Sequence, residues 1–158
     1  MLEDNDPNMS AKESLMKPFA VLPVLLLAAC AMGPRATPQA DADARLYRAV
    51  PDKAVIYLIR DYGYLFVQGV TVTVDGKEMG ETYPASYFRW ELPPGEHIIV
   101  SRTDPPATLV LKTAPGGIYH VWQDIHVGFL REHSQLRVVD ATTTRAVLDT
   151  AYLLPSKR

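Results

Sequence analysis

The side chains best placed to do chemistry lie in one run, IYHVWQDIHV, where His120, Trp122, Asp124 and His126 alternate with Tyr119, Val121, Gln123 and Ile125. Such alternation is the pattern of a strand, so each set shares one face. Two histidines and a carboxylate on one face would suit a metal ion or proton transfer. The spacing opposes this. A strand advances about 3.3 Å per residue and puts His120 and His126 about 20 Å apart, whereas metal–ligand bonds are near 2 Å. A site would need His97 or His133 from elsewhere, and the run reads more simply as a polar face with rim histidines. No metal is expected. A second cluster, Arg60, Asp61, Tyr62 and Tyr64 beside Tyr57, has the composition of an aromatic and basic recognition patch, in which a guanidinium stacks on rings. Core tyrosines and a solvated arginine are the plainer reading. Ser86, Ser101 and Ser134 lack a Gly-x-Ser-x-Gly context, and Gly116-Gly117 leads into a strand rather than the helix N-terminus that a phosphate cradle requires. No catalytic residue is assigned.

The remaining reactive group is Cys30, the only cysteine. From Met16 the chain reads MKPFAVLPVLLLAAC, a cation at Lys17 followed by an apolar run and small residues, which is the layout of a secretory signal. The run is short of the ~20 residues that a membrane-spanning helix needs. Leu27, Ala28, Ala29 and Cys30 resemble the lipobox of bacterial lipoproteins, in which the cysteine is acylated and the signal is cut ahead of it. A lipid on Cys30 would be the only attached group, with no cofactor expected, and would anchor the chain at about 0.8 kcal/mol per buried methylene. Residues 1–15 are acidic where a signal wants a basic start, so Met16 is read as the true first residue. Ala31 is not the aspartate associated with inner-membrane retention, which favours the periplasmic face of the outer membrane.

The elements that position these residues read as strands. Ala54 to Arg60, AVIYLIR, is apolar on both faces, as in a central strand buried from two sides. Val70, Val72 and Val74 alternate with Thr71 and Thr73 and end at Asp75-Gly76, a pair that supplies the positive φ of a tight hairpin. Phe88, Trp90 and Leu92 point one way and Tyr87, Arg89 and Glu91 the other, before Pro93-Pro94-Gly95 forces a corner and His97 to Ser101 resumes. Leu109 to Thr113, Ile118 to Ile125 and Leu136 to Val139 complete the set. Asp140 is placed to cap a short C-terminal helix in which Val147, Ala151 and Leu154 fall at helical spacing, although Thr142 to Thr144 leave a strand open as the alternative. The expected fold is mostly β: an antiparallel β-sandwich of about seven to eight strands over residues 50–158. It follows a flexible tether at 31–49, rich in Ala, Pro, Asp and Arg, and an extension with signal peptide at 1–30.

Three groups of residues carry a resemblance: AVIYLIRDYG, then VTVTVDGKEMGETYPASYFRWELPPGEHIIVSR, then Gly117-Ile118-Tyr119. They are similar to an uncharacterised family of bacterial envelope lipoproteins known as a domain of unknown function. The family pattern falls on Tyr57 and Arg60, on Asp75, Gly76 and Gly80, on Tyr87 to Trp90, and on Pro94 to His97. The stretch from the Asp-Gly turn to His97 also resembles the PEGA-type module, a small extracytoplasmic β-sandwich that acts as a surface or spacer domain. The resemblance implies a sandwich and an envelope address, and brings no catalytic residue with it.

Composition narrows the partners. The formal charge is -2 over 158 residues, and beyond residue 30 there are 14 basic and 14 acidic side chains. No basic stripe exists for nucleic acid. The expectation is a non-catalytic, lipid-anchored module facing the periplasm, whose partners are the membrane, through its lipid, and an envelope protein or glycan. The alternatives are a small carrier of an apolar ligand, with Phe88, Trp90 and Trp122 lining a pocket, and a hydrolase using His97, His120, Asp124 and His133. The candidate surface is Arg60, Tyr62, Tyr64, His120, Trp122, Asp124 and His126.

Overall fold

A computed structural model describes residues 33–63, 69–127 and 132–157. The lipobox expected at Leu27, Ala28, Ala29 and Cys30, and the candidate Tyr64, lie outside the described residues. Among the described residues two helices and nine strands are formed: α1 (Pro38–Ala44), β1 (Ala54–Arg60), β2 (Val70–Val74), β3 (Lys77–Thr82), β4 (Ser86–Leu92), β5 (Gly95–Ser101), β6 (Ala107–Thr113), β7 (Ile118–Val127), β8 (Glu132–Val138), α2 (Ala141–Leu148) and β9 (Tyr152–Leu153). They make two sheets, ordered β8-β7-β1-β4-β9 and β3-β2-β5-β6. The mostly β fold is a sandwich, as the strand pattern requires. The second sheet is antiparallel throughout. The first contains two parallel pairs, β1 with β7 and β4 with β9.

β1 is buried along its whole length and sits at the centre of the first sheet. Its two faces feed different cores. Ile56 and Leu58 pack between the sheets with Val72, Met79, Phe88, Trp90, Ile99, Leu111 and Val121. Val55, Tyr57 and Ile59 face the other way, onto Ala44, Tyr87, Trp122, Leu148 and Leu153. The helices thus form a third layer over the sandwich. Phe88 and Trp90 fill the inner layer, stacked 5.2 Å apart, whereas Trp122 belongs to the outer one, so the three rings do not line a common pocket.

The segment expected as a tether is part of this layer. Thr37 caps α1 by accepting from the Ala40 N–H, with Pro38 opening the helix. Asp41 binds Arg45 at 3.0 Å and accepts from the Tyr87 hydroxyl and, at 3.2 Å, from the Leu153 N–H. Arg45 in turn donates to the carbonyls of Leu148 and Ala151. The packed unit runs Met32–Arg158 and so includes 33–49.

Local signals hold where they were strongest. Asp75 and Gly76 have φ of 52° and 80° and close the β2–β3 hairpin with Val74 opposite Lys77. Pro93-Pro94 carries the chain from β4 in one sheet to β5 in the other. Asp140 caps α2, its carboxylate accepting from the Thr143 N–H at 2.8 Å. The helix stops at Leu148, however, and Tyr152–Leu153 is a strand, because pairing to Ser86 and Tyr87 satisfies its backbone within the sheet.

Candidate functional site

At one end of the sandwich the residues between the sheets change from apolar to polar. β1 ends at Arg60, opposite Ser86 of β4 and Gln123 of β7. Arg60, Thr82, Ser86, Ser101 and Gln123 are all buried there. A buried polar group must find a partner, and most of these do. Arg60 donates to the Thr82 carbonyl at 2.8 Å, the Ser86 hydroxyl to the Tyr83 carbonyl at 2.6 Å, and the Gln123 amide to the Ser101 hydroxyl at 2.7 Å. The Gln123 Oε1 atom has no partner among the described residues, although the side chain is only 1% exposed.

β7 continues past the end of β1. Among the described residues Arg60 and Gln123 are the last parallel pair, and residues 124–127 are paired on the β8 side alone. In this overhang lies a cleft of about 300 Å³, lined by Arg60, Asp61, Gly63, Gln123, Asp124, Ile125 and His126. It brings together parts of the two regions that the sequence singles out, the Arg60–Asp61 cluster and the far end of the His120–His126 run. Tyr62 stands beside it, 59% exposed. The Asp124 carboxylate is held by the Trp122 indole N–H at 2.8 Å and by Arg137 at 3.1 Å.

The other sequence candidates go elsewhere. His120 and Trp122 are on the face expected to be a polar surface, but the helical layer covers them. The His120 ring stacks on Tyr57 at 5.5 Å and meets Tyr47 at 6.3 Å, and its Nδ1 has no partner among the described residues. Burial, reinforced by the Arg145 cation and opposed by Asp140, holds its pKa below the usual histidine value. Arg60 is likewise a buried residue and not a solvated one. His97 fastens the Asp-Gly turn to the Pro-Pro corner, with Nδ1 at 2.7 Å from Asp75 and Nε2 at 2.8 Å from the Pro93 carbonyl. His126 and His133 face each other across β7 and β8. No three His, Cys, Asp or Glu side chains among the described residues are grouped to hold a metal.

Gln123, Ser101 and Thr82 were not flagged by sequence reasoning as site residues. The signal for Gln123 was present as a polar residue in the apolar phase of β7. No helix among the described residues is long and apolar enough to cross a membrane. No protein family, curated protein or solved structure matches this chain.

Proposed function

We propose that the protein is a lipid-anchored module of the bacterial cell envelope, non-catalytic and facing the periplasm, which binds its partner through the cleft at the polar end of its sandwich. The observation that carries this reading is Gln123, a fully buried amide left with an unpartnered end at a cleft lined by Arg60, Asp61 and His126. An unpaired buried polar atom costs about 1–3 kcal/mol, which a ligand atom reaching it would recover. The lipobox at Leu27 to Cys30 supports the anchor, and the resemblance to envelope lipoproteins supports the address. The inner layer is occupied by Phe88 and Trp90 in mutual contact, which favours a surface binder over a carrier that encloses an apolar ligand.

Two measurements test it. Metabolic acyl labelling should mark the wild type and not Cys30→Ser; a retained label would end the anchor. Crosslinking in the intact envelope from a photoreactive residue at Asp61 should capture a partner, and capture should be lost in Gln123→Met, which keeps the volume without the amide. Equal capture by the two would remove the cleft from the reading.

A further inference from the structure

We infer that the partner of the cleft is the lipid headgroup layer of the membrane that holds Cys30, and that the polar end of the sandwich rests on it. The inference relies on the anchor proposed above.

Its first support is length. The packed fold is already formed at Gly33, three residues after the cysteine. Three residues of fully extended chain span at most about 11 Å. A lipid-bearing residue lies at headgroup level, so Gly33 must stay within that distance of it, and a standoff of 30 Å would need about nine residues of free chain.

The second support is where Gly33 is attached. It lies so close against Tyr83 that an added Cβ would come within 2.3 Å of the ring. Arg35 covers the Tyr152 ring at 4.3 Å. The Tyr152 N–H donates to Ala85, and the Ala85 N–H donates to Asp61 at 3.2 Å, on the rim of the cleft. The leash therefore emerges at the cleft end and not at the opposite one.

The third support is composition. This end presents Tyr62, Tyr83 and Tyr152, the residue type that settles where one side is apolar and the other wet. Around them lie Arg35 over the Tyr152 ring, Asp61 on the cleft rim and Glu81 bonded to the Tyr83 hydroxyl at 2.8 Å, a sparse mixed charge that suits a headgroup layer rather than an anionic polymer.

The test uses the full acylated chain in vesicles of phosphatidylethanolamine and phosphatidylglycerol. Because Cys30 carries the lipid and is the only cysteine, one introduced thiol can be labelled uniquely. Tyr62→Cys places a fluorophore at the cleft end. Lys112→Cys places one on an exposed residue paired with Glu96, near the far end of β5. Headgroup-nitroxide lipid should quench the label at 62 at least about threefold more than the label at 112, since the seven residues of β5 separate the two ends by about 20 Å. Equal quenching, or stronger quenching at 112, in protein that is acylated and vesicle-bound would overturn this inference and leave the anchored module intact. Wild-type protein that leaves the lipoprotein-processing host with no acyl chain on Cys30 would instead refute the anchor itself.

Discussion

His120 shows how burial changes what a titratable residue does. On an open strand face it would be a candidate acid or base, but between Tyr57 and the helical layer its cation is disfavoured by burial and by Arg145. The folded pKa is lowered below the ordinary 6.5, so the unfolded chain binds a proton that the folded chain refuses. Stability is therefore full above the unfolded value and declines as pH falls from about 6.5 toward the lowered folded value. His120→Phe, which keeps the stacking, should flatten this decline when Tm is followed between about pH 5 and pH 8. The other histidines remain as an internal control, and a slope unchanged by the substitution would contradict the assignment. Chemistry at single residues was legible in part. Asp140 was readable as a cap because a cap is local. The fate of His120 was not, since it depends on a helix about 20 positions later in the chain folding back over the strand.

At the scale of elements, period was the reliable signal and composition the misleading one. The two apolar faces of β1 and the Asp75-Gly76 turn follow from alternation and from backbone sterics, and both are present in the fold. Residues 31–49 have the composition of a linker, yet α1 forms there because Thr37 and Pro38 start a helix and Asp41 gathers three donors that would otherwise go unpaired. Thr-Pro at 37–38 was the available clue; Asp41's partners, one of them Leu153, lie too far along the chain to read. The roles can be separated. Asp41→Ala should cost about 2 kcal/mol by urea denaturation, because it strands the buried Tyr87 hydroxyl and the Leu153 N–H. Asp43→Ala, two residues on, loses only a bond to the exposed Gln39 and should stay within about 0.5 kcal/mol. A free tether would make the two equal and near zero.

For the whole molecule, the start and end of the packed chain form one unit that closes the outer layer. Ala36 donates to Leu153, Arg45 to Leu148 and Ala151, and Leu153 to Asp41, across separations of more than 100 residues. Contacts of that span leave no periodic trace, which is why the sandwich was readable from its strands while its third layer was not. The layer also contacts a different core from the one between the sheets, and its stability need not rise and fall with theirs. Leu153→Ala removes an apolar side chain from the outer core alone and should raise amide exchange at Asp41 and Arg45 by about tenfold or more, since such a cavity costs about 2–5 kcal/mol. Ile99, central in β5 and packed in the inner core, should change much less. An equal loss of protection at Ile99 and Arg45 would show that α1 opens only when the sandwich does. Unequal loss would identify the outer layer as a separate unit, which opens while the sheets remain folded.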